Sequence, residues 1–287
     1  LIGLAIIVGF IVLVFSSDLF VKGAAAIAQN FGVSPTLVGL TIVSIGTSSP
    51  EILVSFSAAI TGAGELAIGN AVGSNIANIG LVLGATLCLC SIKVARVYLQ
   101  LEIPILLLIT ALAAILVIDL EFSSTDSILM LATLLVAMYI IVKKRLAYVS
   151  IKPNAHNNNI EKLSRLKASI FFLIGLVLLI VSSRLLVWGA TEAAILLGVS
   201  ELVIGLTIVA VGTSLPELAA SIASALKNHP DLAFGNVIGS NIFNLLAVMP
   251  IPGLIQSMSL NRDFLYRDFF TMGLLTLILS GFVYASS

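Results

Sequence analysis

The chain has 287 residues, with 14 Lys and Arg against 14 Asp and Glu, so its formal net charge is zero. Hydrophobic residues make up 59% of the chain and charged residues 10%, and the mean hydropathy is +1.18. A soluble domain carries about 25% charged residues, so this composition excludes an ordinary water-soluble protein. The balanced charge also argues against a nucleic-acid-binding protein, which would carry a basic surface. We therefore expect a polytopic membrane protein.

Nine apolar runs follow one another along the chain, each long enough to cross a hydrocarbon core of about 30 Å. A polar, Asn-rich segment at 143–167 separates the fifth run from the sixth and holds seven of the 14 basic residues. Loops rich in Lys and Arg stay in the cytoplasm, which places this loop inside the cell and the N-terminus outside. In chain order the runs are 2–27, 34–61, 66–90, 99–118, 124–142, 168–196, 200–226, 232–254 and 265–284.

The chain contains an internal repeat at an offset of 166 residues. Residues 32–78 align without a gap with residues 198–244, and 24 of the 47 positions are identical. The identities include Gly, Pro, Thr, Ser, Glu and Asn at fixed register, which shared hydrophobicity alone would not produce. The most similar stretches are GLTIVSIGTSSPE (39–51) with GLTIVAVGTSLPE (205–217), and GNAVGSNIAN (69–78) with GNVIGSNIFN (235–244).

The two repeats have opposite orientations in the membrane, because five runs precede the second copy. We predict an all-α fold of two inverted five-helix repeats: residues 1–142, then the cytoplasmic loop 143–167, then residues 168–287 with four of the five helices. The offset places the partner of the fifth run at 290–308, so we expect a tenth helix in the native protein. Inverted repeats around a midplane site are typical of secondary transporters.

One glutamate of each repeat lies near the middle of the bilayer. Run 34–61 would form a helix of about 42 Å at about 1.5 Å per residue, and Glu51 lies one turn beyond its midpoint. Glu217 occupies the same place in run 200–226. An ionisable group at this depth costs several kcal/mol, and neither run has a basic residue near it. A bound cation is therefore the expected partner of both glutamates.

Oxygen-bearing side chains surround the two glutamates. Pro50 and Pro216 lack an amide hydrogen, so we expect each helix to bend there and to expose carbonyl oxygens. Hard cations such as Ca²⁺ take about 6–8 oxygen ligands. No His or Cys lies at this depth, which argues against zinc, copper or iron. The candidate polar stripe comprises Ser44, Thr47, Ser48 and Ser55 with Thr213, Ser214 and Ser221, and a second polar face comprises Asn70, Ser74, Asn78, Asn236, Ser240 and Asn244.

The second polar face is flanked by glycines that predict close helix packing. Small residues four apart let two helix backbones approach each other. Asn70 and Asn236 are expected to join helices more than to bind ions, whereas Ser55 and Ser221 are equally consistent with either role. The glycine pairs are Gly69 with Gly73 and Gly235 with Gly239.

Two further groups of charged residues have structural interpretations. Asp18 and Lys22 are four residues apart in the first run and are expected to form an ion pair near the interface. Glu102 and Asp268 are repeat partners at the entrances of their runs, and we expect them to cap those helices.

The paired motifs G-T-S-x-P-E and G-N-x-x-G-S-N-I-x-N resemble the α-repeats of the sodium/calcium exchanger family, within the calcium:cation antiporters. The resemblance covers both repeats and the topology around them, and it implies exchange of Ca²⁺ for Na⁺ by alternating access. It implies that Glu51 and Glu217 share the central Ca²⁺ site and the flanking Na⁺ sites. The further ligands that it implies are oxygens of Thr47, Ser48, Thr213 and Ser214, the carbonyls of Ser44 and Ala210 with Ser74 and Ser240 at the sodium sites, and Asn78 and Asn244 lining the middle.

One position departs from part of that family. Some members carry an aspartate where this chain has Asn244, so only two membrane carboxylates remain and the site charge is −2. One Ca²⁺ neutralises that charge, whereas three Na⁺ would leave +1. The sequence does not fix the stoichiometry or the coupling ion.

The alternatives left open are a H⁺-coupled or K⁺-using cation antiporter and, from another class, an ion channel. A channel would usually build its pore from equivalent residues of several subunits. An enzyme is disfavoured, because no His or Lys base stands near a candidate nucleophile. We expect no cofactor, since Ca²⁺ and Na⁺ would be cargo, and no nucleic acid or obligate protein partner. The expected location is a prokaryotic inner (plasma) membrane, with the lipid bilayer as the surrounding partner.

Overall fold

The computed structural model describes residues 1–90, 100–151, 163–198 and 210–285. These residues form helices joined by short connections, with one two-stranded sheet of β1 (Glu121–Phe122) and β2 (Met258–Ser259). The helices are α1 (Ile2–Phe31), α2 (Pro35–Thr47), α3 (Ser49–Ile60), α4 (Gly64–Leu89), α5 (Glu102–Val117), α6 (Ser124–Ile151), α7 (Arg165–Leu196), α8 (Ala210–Thr213), α9 (Leu215–Leu226), α10 (Pro230–Ile255) and α11 (Phe264–Ala285).

Six of these helices are long and apolar enough to cross a membrane, and α2 with α3 adds a seventh span as a bent pair. The shorter helices α5 and α9 are also apolar. In hydrocarbon every backbone amide and carbonyl must be bonded within the protein, and a helix satisfies this requirement by itself. The chain is therefore an all-α, multi-pass integral membrane protein, as the composition predicts.

The connection between α1 and α2 shows how local sequence ends one span and starts the next. Gly32 follows α1 with φ of 64°, a left-handed conformation that glycine adopts without steric cost. Ser34 then caps α2, because its Oγ accepts a hydrogen bond of 3.2 Å from the Leu37 amide, and Pro35 occupies the first helical position. The chain thus reverses direction within three residues.

The 166-residue offset of the sequence repeat also relates the bounds of the helices. Helix α3 maps onto α9 residue for residue, and α4 maps onto α10 at both ends. Each of the two longer helices contains a π-helical turn that begins at an equivalent asparagine, Asn78 in α4 and Asn244 in α10. Such turns widen a helix locally and are frequent at functional sites. The predicted repeat architecture is confirmed at the level of its elements.

Helices α1 and α7 form a tightly packed pair. The rings of Phe20 and Phe172 stack with centroids 4.8 Å apart. A Cβ atom added to Gly175 would lie 2.5 Å from the backbone nitrogen of Phe20, and one added to Gly23 would overlap the backbone of Phe172. Both glycines therefore let the two backbones touch, and the pair packs as one unit against the rest of the protein.

Helix α10 lies at the centre of the remaining helices and packs closely on α2. A Cβ on Gly39 would approach the Leu232 carbonyl oxygen to 2.6 Å, and a Cβ on Gly239 would approach the Ser44 Oγ to 2.6 Å. The close approach predicted for the second glycine pair is thus confirmed. For the first pair, the repeat-equivalent partner segment lies largely outside the described residues.

Three contacts join segments that the topology assigns to the same face of the membrane. Strands β1 and β2 connect the α5–α6 and α10–α11 turns. Near the opposite face, the Asn30 Nδ2 donates to the Leu163 carbonyl at 3.0 Å. On that same face the Arg145 Nε donates to the Glu102 Oε1 at 2.6 Å. Each contact joins two segments that lie on the same side of the membrane if successive predicted spans cross it in opposite directions.

Two expectations differ from the structure. Helix α6 continues nine residues past 142 to Ile151, and α7 begins at Arg165, so the polar segment is shorter at both ends than the predicted 143–167. Glu102 does not cap α5, because its buried carboxylate pairs with Arg145. Where water is excluded, a buried carboxylate is stabilised more by a positive partner than by the amides of a helix end. The predicted start of the seventh run, 200–209, lies outside the described residues.

Candidate cation-binding site

The bend predicted at Pro50 is present. Helices α2 and α3 meet at Ser48 with an angle of 42° between them. Ser48 has φ of −80° and ψ of 6°, and Ser214, its repeat partner between α8 and α9, has φ of −87° and ψ of 5°. Each proline is the second residue of the helix that follows the break. The same break therefore occurs in both repeats.

Glu51 and Glu217 are buried in the first turn of the helices that follow these breaks. Their exposed fractions are 1% and 0%. The N-terminus of a helix carries partial positive charge, which favours a carboxylate there. The Oε2 atom of each glutamate accepts no hydrogen bond from the described residues. The two carboxylates are also close enough to repel each other.

No positive side chain within the described ranges compensates these carboxylates. The ion pairs of the described residues join Asp18 to lysines, Glu102 to Arg145 and Asp268 to Arg267. No cluster of three or more His, Cys, Asp or Glu occurs in the described part of the chain. Two buried carboxylates without a counter-charge are costly in a membrane, and a bound cation would offset that cost.

Hydrogen bonds from α2 and from the break that follows it reach across to the second repeat. The Ser48 Oγ donates to the Glu217 Oε1 at 3.1 Å. The Thr47 Oγ1 donates to the Asn236 Oδ1 at 3.2 Å, and the Asn236 Nδ2 donates in turn to the Ser221 Oγ at 3.1 Å. Asn236 of α10 therefore links α2 to α9. The polar stripe of one repeat completes the polar environment of the other.

The equivalent asparagine of the first repeat has a more local role. The Asn70 Nδ2 donates to the Glu51 carbonyl at 3.5 Å and to the Ser55 Oγ at 3.4 Å. The Ser55 Oγ donates to the Ala67 carbonyl at 3.2 Å. These bonds join α3 to α4. Asn70 and Asn236 thus link helices, as expected.

Several buried oxygens around the glutamates have no hydrogen-bond partner among the described residues. These atoms are the Ser214 Oγ, the Ser240 Oγ, the Asn78 Oδ1 and the Asn244 Oδ1. Ser74 is also buried, and its hydroxyl lies beside the Glu51 carboxylate. A polar atom left unbonded in a protein interior is unfavourable, so these oxygens are available as ligands of an ion or of water.

The remaining predicted ligands lie around the breaks. The Ser44 carbonyl accepts the Ser48 amide at 2.9 Å and the Thr47 Oγ1 at 3.4 Å. Ala210 is the first residue of α8, and Thr213 is its last. The side chain of Thr213 is 9% exposed. All four hydroxyl residues beside the breaks, Thr47, Ser48, Thr213 and Ser214, are buried.

Sequence analysis missed one pair of asparagines. The Asn75 Nδ2 donates to the Asn241 carbonyl at 3.2 Å, and the Asn78 Nδ2 donates to the Asn241 Oδ1 at 3.2 Å. Asn75 and Asn241 are repeat partners inside the G-S-N motif, so their identity in the alignment was the available signal. They connect α4 to α10 next to the candidate ligand Asn78.

Comparisons with known proteins agree with this architecture. The family model of the sodium/calcium exchanger protein matches residues 1–143 and 167–287. The sodium/calcium exchanger MaX1 of Methanosarcina acetivorans is 31% identical over 98% of this chain and 90% of its own length. The inner membrane protein YrbG of Escherichia coli K12 is 37% identical over 95% of this chain and 86% of its own.

A solved structure of the sodium-calcium exchanger NCX_Mj superposes on this chain with a TM-score of 0.86 and 35% sequence identity. The superposition covers 100% of this chain and 92% of that one. Likeness at this level of identity and coverage extends over both repeats.

Proposed function

The chain belongs to the sodium/calcium exchanger family, and we propose that it is a secondary active antiporter that exchanges Ca²⁺ for Na⁺ by alternating access. One observation carries the proposal. Glu51 and Glu217, at equivalent positions of the two repeats, are both buried, and neither carboxylate forms an ion pair with a described residue. The similarity to proteins named sodium/calcium exchangers supports the choice of ions.

The ligands of the proposed site are oxygen atoms. Carboxylates, carbonyls and amide oxygens are what Ca²⁺ prefers, and its ligand number of about 6–8 requires more than the two glutamates can supply. The unpartnered oxygens of Ser214, Ser240, Asn78 and Asn244 provide the remainder. The full proposed set is Glu51, Glu217, Thr47, Ser48, Thr213, Ser214, Ser74, Ser240, Asn78, Asn244 and the carbonyls of Ser44 and Ala210.

The charge of the proposed site determines how many Ca²⁺ or Na⁺ ions neutralise it. Two ionised glutamates give −2, which one Ca²⁺ cancels. Three Na⁺ would leave a net charge of +1, so a three-to-one exchange would move charge across the membrane. Ca²⁺ and Na⁺ therefore compete for the same two carboxylates, and binding of one ion species requires release of the other.

The proposed motion separates the molecule into two bodies. The α1–α7 pair is held together by backbone contact at Gly23 and Gly175. The site lies on α2, α3, α4, α8, α9 and α10, and hydrogen bonds across the repeats run from α2, Ser48 and α4 to α9 and α10. We expect α1 and α7 to slide along this second body and to open the site to one side at a time.

We further propose that the protein resides in a prokaryotic inner membrane with its N-terminus outside and the loop before α7 in the cytoplasm. The same-face contacts of Asn30 with Leu163 and of Arg145 with Glu102 support this alternation. Cysteine labelling of Thr61, in the α3–α4 turn, and of Lys167 from each side of sealed vesicles tests the orientation. Labelling of both positions from one side would contradict it.

Transport by the purified protein tests the proposal directly. Proteoliposomes loaded with Na⁺ should accumulate radioactive Ca²⁺, and uptake should stop when the Na⁺ gradient is abolished. Uptake that ignores Na⁺ but follows a pH or K⁺ gradient would replace Na⁺ by that ion as the coupling species. Ca²⁺ flux that needs no ion on the other side would indicate a channel and would contradict antiport.

A further inference from the structure

An apolar groove of about 690 Å³ lies between the α1–α7 pair and the two helices on either side of the second break, α8 and α9. Its walls come from α1, α7, α8 and α9, and its lining is almost entirely aliphatic and aromatic. The groove does not contain either glutamate of the cation site. It is therefore a separate cavity on the side of the molecule where the proposed sliding surfaces meet.

The groove is elongated and runs along the helix axes. On α1 it extends from Ile6 to Asp18, about 18 Å at a rise of about 1.5 Å per residue. On the opposite wall α9 lines it from Leu215 to Leu226, about 17 Å by the same measure. A long, narrow apolar ligand fits this shape better than a compact one.

Charged residues occur at one end of the groove only. The Asp18 carboxylate lies 3.0 Å from the Lys22 Nζ and also contacts the Lys227 Nζ. Two ammonium groups and one carboxylate leave a net charge of +1. His229 adds nothing to it, because burial and the nearby Lys227 lower the pKa of its imidazole and keep it neutral. Ser17 at the same end is bonded to the Val14 carbonyl.

We propose that this groove binds an anionic phospholipid, with one acyl chain along the apolar walls and the phosphate at the ammonium groups of Lys22 and Lys227. The bilayer supplies acyl chains at high concentration beside the groove, and filling it restores the apolar contacts that the helices do not make with one another. Basic pockets between transmembrane helices at the cytoplasmic face bind anionic headgroups. The proposal does not depend on which cations the protein transports.

Fluorescence quenching by brominated lipids tests the site, because Trp188 is the only tryptophan of the chain. In a Trp188→Phe background, Ile222→Trp places the fluorophore in the groove, and Leu277→Trp places a control on the exposed face of α11. Brominated phosphatidylglycerol in a phosphatidylcholine membrane should half-quench the Ile222→Trp protein at a mole fraction about five-fold lower than the control requires. Brominated phosphatidylcholine should not distinguish the two positions.

Two charge variants sharpen the test. Lys227→Gln should remove the five-fold preference, whereas Lys143→Gln, an exposed lysine of α6 bonded to Tyr139, should leave it intact. Equal quenching of both tryptophans by both lipids would show ordinary contact with the bilayer and would overturn the proposal. Preferential quenching at the groove by both lipids alike would overturn the headgroup assignment and with it the proposal.

Native mass spectrometry of the unmodified chain gives an independent measurement that needs no introduced tryptophan. Protein released from mixed phosphatidylglycerol and phosphatidylcholine nanodiscs should retain one phosphatidylglycerol, and Lys227→Gln should release it. Loss of all lipid from the unmodified chain at the energy where Lys227→Gln also loses it would contradict a specific site. Either result can be obtained whether or not Ca²⁺ exchange is observed, so failure of the two proposals can be told apart.

Discussion

The two repeats have nearly the same site motifs but not the same environments. Ser48 of the first repeat donates to Glu217, whereas the Ser214 Oγ has no partner among the described residues. The Ser48 amide bonds to the carbonyl four residues back, and the Ser214 amide bonds to the Val211 carbonyl only three residues back. In their apolar stretches, 78% of residues are buried in α10 and 44% in α4.

This difference shows that equivalent sequences occupy non-equivalent conformations within one molecule. An inverted-repeat transporter open to one side must break its internal symmetry, because exchanging the conformations of the two repeats would open it to the other side. The unequal contacts of Ser48 and Ser214 are what such an arrangement requires. Substitutions at repeat-equivalent positions can therefore distinguish the site chemistry that both repeats share from the packing and hydrogen bonds in which they differ.

The largest effect on transport is expected at the two site glutamates, which occupy equivalent positions in the two repeats. Glu51→Gln and Glu217→Gln should each reduce Na⁺-dependent Ca²⁺ uptake on the order of a hundredfold or more, because each removes half of the negative charge at a buried site. The measurement is radioactive Ca²⁺ uptake into proteoliposomes. Glu65→Gln, an exposed acid at the start of α4, is the matched control and should transport normally. Normal transport by either site variant would contradict the site.

The repeat partners Glu102 and Asp268 should differ strongly in their contribution to stability. Glu102→Gln removes the carboxylate that pairs with the buried Arg145 and should cost about 3–5 kcal/mol of the free energy of unfolding. Asp268→Asn breaks a pair with the exposed Arg267 and should leave the thermal midpoint in detergent unchanged. The double variant Glu102→Leu, Arg145→Met should recover much of the loss. Equal midpoints for Glu102→Gln and Asp268→Asn would contradict the difference seen in the structure.

The equivalent glycines Gly239 and Gly73 should respond unequally to a methyl group. Gly239→Ala would push a Cβ into the Ser44 Oγ and the Leu40 carbonyl, at a cost of about 1–3 kcal/mol of unfolding free energy. Gly73 is exposed, and a Cβ there meets no described atom within 4 Å, so Gly73→Ala should change the unfolding midpoint little. A comparable loss in both variants would mean that α4 is packed as closely as α10.

The smallest effects should separate the two serines at the breaks. Without ions, Ser48→Ala removes a hydrogen bond to Glu217 and should lower the unfolding free energy by about 1 kcal/mol. Ser214→Ala removes a buried hydroxyl that bonds to no described residue, so the ion-free protein should be as stable as before. With Ca²⁺ present, both variants should lose part of the stabilisation by Ca²⁺. Melting curves with and without Ca²⁺ measure both quantities, and identical ion-free midpoints would contradict the asymmetry.

Some features of this protein follow from the amino-acid sequence because they depend on periodic or duplicated patterns. Apolar runs of membrane-spanning length predict the helices, and the 166-residue offset predicts that their bounds repeat. Pro50 and Pro216 predict the breaks, since a proline cannot donate the helical hydrogen bond in any fold. The isolation of Glu51 and Glu217 from basic residues was also visible, because so few charges lie inside the runs.

Other features were decided by tertiary structure, because they depend on which surfaces meet. The continuation of α6 to Ile151 and the pairing of Arg145 with Glu102 were not predicted, since a basic residue beside a polar loop looks solvated until a second helix covers it. The roles of Asn75 and Asn241 next to Asn78 likewise required the contact of α4 with α10. Ser48 and Ser214 occupy the same place in the same motif, so the motif does not explain why their hydrogen bonds differ. That difference is set by how the whole chain packs.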